Sequence, residues 1–359
     1  MLEDEGDRRK LLRHALTRVH KAFTIGCAGT SLSADERSLI ADERPWGLII
    51  FGRNVADGGQ LADLVSEYRS IAGPERPVLI DQEGGRVQRL RPPLAPNYPA
   101  AWLIGQLYGA DSEAGKRAAW LQGRLHAFDL SRFGIDIACL PVLDLPVEGA
   151  HEVIGQRAYG PDPRTVAAMG RAVCDGLLAG GVLPVLKHVP GHGRAPADSH
   201  KQLPRVDAAL EVLRAEDFAP FRQLADMPIA MTAHVVYEAI DPQVPATTSQ
   251  TVVDTIIRGE IGFDGLLLSD DVSMNALSGD DYARVNAILS AGCDVALHCS
   301  GVLENARLAA DAACELRGKS LKRAASALAR RGPGDDADED GLRAEYRELT
   351  GYDVSFPCA

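Results

Sequence analysis

Three segments of this chain concentrate side chains that can do chemistry. Residues 187–200 read KHVPGHGRAPADSH, which sets a lysine, three histidines and an aspartate directly after an apolar run. Pro190, Gly191, Gly193 and Pro196 forbid a continuous helix there, so the histidines sit on a shaped loop. Asp198 and His200 stand two apart. At that spacing a carboxylate can accept from one imidazole nitrogen, fix the tautomer and leave the other nitrogen free to move a proton. Such a pair is a general acid/base device worth ~10²–10⁴ in rate. A hydrogen-bonded loop histidine is the plain alternative for any one of the three, and their clustering weighs against it. The glycines of PGHG are expected to let the loop swing.

Asp270 and Asp271 follow the run GLLLS. Strand side chains alternate, so only one of the two carboxylates faces inward. A helix N-cap is an equal alternative for Asp271. Residues 81–89 read DQEGGRVQR: Asp81 ends a short run, Gly84 and Gly85 allow a tight turn, and Arg86 and Arg89 supply planar donors. Asp81 suits a substrate hydroxyl pair, and with Arg89 it also suits a simple rim ion pair. Arg157, in IGQRAYG, reaches the rim or covers it. His234 is a core-edge histidine or a substrate contact, and Asp144 a helix cap or a loop anchor.

Eight short apolar runs must position these groups: residues 22–27, 47–51, 78–80, 135–141, 182–186, 229–233, 265–268 and 294–297. Nearly continuous apolarity over so few residues is how strands buried on both faces of a parallel sheet read. Helix patterns lie between them. Ser33 and Glu36 form a capping box, Asp162-Pro163 opens a helix over 164–178, and Ser278 is placed to cap one running to Ser290. Repeated β-then-α units with no GxGxxG after the first strand point to an α/β, single-domain (β/α)8 TIM-type barrel. The run ends FGRN, DQEGGR, PVLD, KHVPGHG, TAH, SDD and HCSG are polar or glycine-rich, as they must be if all eight converge on one functional rim.

The 359 residues divide into a charged extension at 1–20, the barrel at 21–320, and a charged loop with a helical tail at 321–359. Residues 330–341 (RRGPGDDADEDG) read as a solvated loop and 342–349 as a last short helix. A net charge of −12 argues against a nucleic-acid partner. No run of about 20 apolar residues exists to span a membrane, and the N-terminus lacks the apolar core of a secretory signal. Seven scattered cysteines without CxxC spacing read as reduced, packed thiols.

DQEGGRVQR, KHVPGHG followed by DSH, and IIRGEIGFDGLLLSDDVSM together resemble the glycoside hydrolase family 3 β-N-acetylglucosaminidases of the bacterial NagZ type. The resemblance covers roughly residues 20–320. It implies a (β/α)8 barrel, Asp270 as nucleophile, and His200 with Asp198 as a mobile acid/base pair. It also implies substrate contacts from Asp81, Arg89, Arg157, Lys187 and His188. Further implied are a cytoplasmic monomer without cofactor or metal, a carbohydrate or muropeptide substrate, and release of GlcNAc from 1,6-anhydroMurNAc-containing muropeptides in peptidoglycan recycling. Two departures stand out: GQRAYG puts Gln156 where a carboxylate is usual, and Val189 stands where Phe is common. A metal-dependent hydrolase with His188, His192, His234 and Asp270 as ligands, a phosphorylase of the same family, and an inactive sugar-binding barrel are the competing readings.

Overall fold

The computed structural model describes residues 20–356. Among them eight parallel strands close into a barrel: β1 Lys21–Gly26, β2 Pro45–Ile50, β3 Val78–Ile80, β4 Ile137–Ala138, β5 Leu183–Val189, β6 Ile229–Thr232, β7 Leu266–Asp271 and β8 Val295–Leu297. Each pairs with its neighbours in chain order. β8 returns to β1, with Phe23 opposite Ala296 and Thr24 opposite Leu297. The eight apolar runs are these eight strands, and the fold is the expected (β/α)8 barrel.

The runs are continuous because both strand faces are buried. Leu79, Ile137, Leu183, Val185, Ile229, Met231, Leu266, Leu268, Val295 and Leu297 pack together as an inner cluster. Ile80, Ala138, Leu186, Ala230, Leu267 and Ala296 belong to the outer cluster that meets the helices. Extending the same alternation past the inner residues puts Phe51, Asp81, Lys187 and Asp270 on the inward parity at the C-terminal mouth. At the other end the helix Gly318–Leu328 forms the floor. Its Ala324, Ala327 and Leu328, with Leu316, join the inner cluster. That floor helix runs across residue 320, where the sequence reading ended the barrel. Of the expected extension at 1–20, residues 1–19 lie outside the described residues.

Most helix starts follow the expected caps. Ser33 and Glu36 form the capping box of the helix Ala34–Glu43, and Asp162 caps Pro163–Ala179. The helix Asp281–Ser290 differs: Asp280, not Ser278, accepts from the Ala283 N–H. Gly279, at φ +85°, turns the chain between the two and leaves Ser278 outside the first turn.

The charged segment 330–338 is an exposed loop, as expected, and it is also tethered to the barrel. Arg331 bonds Asp136 and Glu75, and Asp335 accepts from the buried Arg124. The last helix, Glu339–Thr350, buries Arg343 and Tyr346, and Arg343 pairs with the buried Asp129. Opposite charges already waiting on the barrel wall, unseen in a local sequence window, tie the segment down. Among the described cysteines five are buried, as packed thiols should be, and Cys314 is exposed.

Candidate active site

The barrel mouth carries a line of alternating charge. Lys187, on β5 and nearly inaccessible, places Nζ 2.8 Å from Asp81 Oδ1 and 2.7 Å from Glu83 Oε1. Arg157, on the 3-10 turn Gly155–Arg157, donates from Nε and Nη2 to the two Glu83 oxygens, both at 2.8 Å. Arg89 donates from Nη2 to Asp81 Oδ2 at 2.9 Å. The hairpin of Gln82–Gly84 with Val87–Gln88 brings Glu83 and Arg89 to this line. Its turn depends on glycine: Gly84 and Gly85 have φ +100° and +56°, and a Cβ on Gly84 would stand 2.5 Å from the Pro99 carbonyl oxygen.

Burial by itself would raise the carboxyls of Asp81 and Glu83. The charges of Lys187 and Arg89 on the first, and of Arg157 and Lys187 on the second, overcome it and hold both below their ordinary range. Burial likewise disfavours the Lys187 and Arg157 cations, and the same carboxylates hold them charged. Phe51, at the end of β2, lies under the Arg53 and Arg89 guanidinium groups at 4.8 and 5.1 Å.

A second cluster sits beside this line. Asp144 is fully buried. It accepts from the backbone N–H groups of His188 (3.1 Å) and His192 (2.7 Å), and its other oxygen lies 2.6 Å from His188 Nδ1. Burial would raise its carboxyl, yet His188, chiefly, brings it down to about 2. Asp144 is therefore the loop anchor of the two sequence alternatives. Lys187 and His188 are consecutive but serve the same mouth, because the β5–β6 register shifts between Lys187 and Val189.

Asp270 lies on the inward parity of β7. Burial favours its neutral form, but His188, His234, the Asp271 N–H and His200 together hold it below the usual carboxylate range, which keeps it ionised. Asp271 does not cap a helix. Its carboxylate accepts from Ser273 N and Oγ and from Cys299 N, which shapes the loop after β7. His234 is spent on Thr247 Oγ1 (2.8 Å) and the Asp271 carbonyl (3.0 Å), so the structure makes it a core-edge histidine. On the loop after β5, His200 Nδ1 lies 2.8 Å from Asp198 Oδ1. His200 is 65% exposed against 18% for Asp198, so the imidazole stands free on an anchored carboxylate. Burial pulls the Asp198 carboxyl up, and the His200 backbone N–H and ring bring it below its ordinary value.

The glycines of PGHG also have a packing role. A Cβ on Gly193 would meet the Leu145 carbonyl oxygen at 1.7 Å, and one on Gly191 would meet Asp217 Cβ at 2.9 Å. They allow close packing. The four ligands of the metal reading do not converge, since His192 faces Ser199 and His234 faces Thr247. Among the described residues, no three His, Cys, Asp or Glu side chains are grouped to hold a metal ion.

The eight residues to which the resemblance gave roles therefore stand at one mouth: Asp81, Arg89, Arg157, Lys187 and His188 around the charged line, Asp270 on β7, and Asp198 and His200 on the loop beside it. The sequence reading missed Glu83 and Phe51. Glu83 stands two residues after Asp81, the strand spacing that returns a side chain to the same face, and that was its available signal.

The model of the glycosyl hydrolase family 3 N-terminal domain matches residues 15–326. This chain belongs to glycosyl hydrolase family 3. A β-hexosaminidase of Xanthomonas axonopodis pv. citri is 40% identical over 307 residues, 84% of this chain and 89% of that one. A β-hexosaminidase of Aromatoleum aromaticum is 38% identical over 280 residues, 77% of this chain and 78% of that one. The crystal structure of native NagZ from Neisseria gonorrhoeae superposes with a TM-score of 0.82 at 32% identity, covering 93% of this chain and 98% of that one. The family 3 barrel and the charged mouth thus occur on one chain, which is a glycoside hydrolase. Among the described residues no helix is long and apolar enough to cross a membrane.

Proposed function

We propose that this family 3 glycoside hydrolase is a retaining exo-β-N-acetylglucosaminidase. Its substrate would be the GlcNAc unit of 1,6-anhydroMurNAc-containing muropeptides, released in the cytoplasm during peptidoglycan recycling. The observation that carries the reading is Asp270 at the end of β7, its carboxyl held below the ordinary range by His188, His234 and His200 around it, with the exposed His200 imidazole seated on Asp198. In the first step an Asp270 oxygen bonds to C1 as the C1–O bond breaks, and His200 gives its proton to the leaving oxygen. In the second, water adds to C1, His200 takes its proton, and the C1–Asp270 ester bond breaks. Two close carboxylates are the usual retaining pair. A histidine in place of one of them avoids like-charge repulsion beside Asp270.

Asp81, Arg89, Arg157, Lys187 and His188 are assigned to the sugar. The cations Arg89, Lys187 and Arg157 are offset by Asp81 and Glu83 beside them and by Asp270 at the same mouth. Such a compensated mouth offers charge-assisted hydrogen bonds to neutral hydroxyls and leaves little excess charge for an anionic acceptor. The relatives named β-hexosaminidase support the sugar class.

The test is release of nitrophenol from β-GlcNAc and β-glucose nitrophenyl glycosides in phosphate-free buffer. Turnover of the GlcNAc substrate that vanishes in Asp270→Ala is the expected result. Turnover only after phosphate is added makes the enzyme a phosphorylase. Preference for the glucoside overturns the substrate assignment.

A further inference from the structure

The Asp198–His200 pair lies within one loop, so it fixes the imidazole relative to the loop and not relative to Asp270. Three other hydrogen bonds supply that second constraint. His192 Nε2 lies 2.9 Å from Ser199 Oγ, with both residues buried. The Ala276 N–H donates to the Ser199 carbonyl at 3.2 Å. Asn275 Nδ2 donates to the His200 carbonyl at 3.1 Å.

Each end of this strap is itself anchored. His192 hangs by its backbone N–H on Asp144, the carboxylate that also holds His188. Asn275 and Ala276 belong to the segment directly after Asp270 and Asp271. That segment is tied down by the Asp271 carboxylate on Ser273 and by the Val272 N–H on the Leu297 carbonyl. The backbone at Ser199 and His200 is thus held on one side by the sugar-facing cluster and on the other by the strand that carries Asp270. Burial holds His192 at about 4, so the strap stays uncharged near neutral pH.

We propose that His192, Ser199 and Asn275 are positioning residues that strap the Asp198–His200 loop in register with Asp270. This rests on the assignment of Asp270 and His200 made above. None of the three need touch the substrate. Their effect comes through the placement of His200, and misplacing a proton donor by about 1 Å can cost on the order of 10²-fold.

Proton donation matters in proportion to the basicity of the leaving oxygen, which defines the experiment. kcat/KM and kcat are measured for β-GlcNAc glycosides of 2,4-dinitrophenol, 4-nitrophenol and phenol, and for a GlcNAc disaccharide, with wild type, Ser199→Ala, Ser199→Thr and Asn275→Ala. For Ser199→Ala and Asn275→Ala, kcat/KM on the disaccharide is expected to fall ~10-fold or more, against less than about 3-fold on the dinitrophenyl glycoside. kcat should fall for every substrate limited by the water step, because His200 is then the base. Ser199→Thr, which keeps the hydroxyl, should restore the wild-type pattern. Asn275 is solvent-exposed, so its variant keeps the test informative if Ser199→Ala does not fold.

Equal losses of kcat/KM for all leaving groups, or an unchanged leaving-group dependence of kcat/KM in both alanine variants, would overturn the strap alone. A wild-type enzyme that turns over none of the series overturns the assignment beneath it.

Discussion

At the residue scale the mouth works as a set of mutually dependent charges. Glu83 is the clearest case, since it holds Lys187 and Arg157 at once. Glu83→Gln leaves both cations short of a partner in a buried place, a change that typically costs ~3–5 kcal/mol of local interaction. The expected outcome is a rise in KM of at least ~10-fold with a smaller change in kcat, read from initial rates on a β-GlcNAc glycoside; an unchanged KM refutes the dependence. Phe51 is a gentler test. Its ring supports Arg89 by a contact worth ~0.5–2 kcal/mol, so Phe51→Leu should raise KM ~2–10-fold and leave thermal stability nearly unchanged. The residue types of Asp81, Lys187 and Asp270 were legible because each closes an apolar run. The pairing of Lys187 with two carboxylates was not, since it joins groups 106 and 104 positions apart in the chain.

At the element scale two features brace the site from behind. One is the buried turn 190–193, packed against Leu145 and Asp217. Gly193→Ala forces a methyl against backbone, which cannot yield as a side-chain end can. It should cost ~2 kcal/mol or more, seen as a lower urea midpoint before any kinetic effect is interpreted. The other is the helix Glu339–Thr350. Its Arg343 meets Asp129, and Asp129 accepts from Tyr98 at 2.6 Å. Tyr98 in turn accepts from Gly85 N and donates its N–H to Gln88, so the tail reaches the hairpin that carries Glu83 and Arg89. Arg343→Ala strands a buried carboxylate and should destabilise by ~3–5 kcal/mol, whereas Arg343→Met with Asp129→Leu should recover much of the loss. A single variant as stable as wild type would show that the tail is dispensable.

At the scale of the whole molecule, buried histidines set the response to acid. Burial, with Arg343 for the first and His188 for the second, lowers His126 to about 3 and His192 to about 4. Both therefore bind protons more readily in the unfolded chain, where the ordinary value is about 6.5. Their stabilising contribution is full above that value and is lost as pH falls toward 4. Asp217 acts in the opposite sense. Burial pushes it up to about 6 despite Arg194, so it takes up a proton in the native state and adds stability as pH falls below 6. From pH 7.5 to 5.0 the two histidines lose roughly 2 kcal/mol each and Asp217 returns on the order of 1 kcal/mol. Urea unfolding should show a net loss of ~2–3 kcal/mol over that range, and stability that is flat or rising toward pH 5 contradicts the assignment.

The sequence by itself determined the eight strands, their closure and the end of the barrel that carries chemistry. Burial on both strand faces leaves an apolar run that any local window detects, while the family resemblance, not strand alternation, picked Asp270 from the two carboxylates after Leu268. Tertiary structure alone decided the rest. It spent His234 on Thr247, gave Asp144 to His188 and His192, used Glu83 to hold Lys187 and Arg157, and bound a charged tail to the wall. These outcomes depend on which charges and donors meet across distant parts of the chain. Local periodicity fixes the direction in which a side chain leaves its element, and folding selects the partner it finds there.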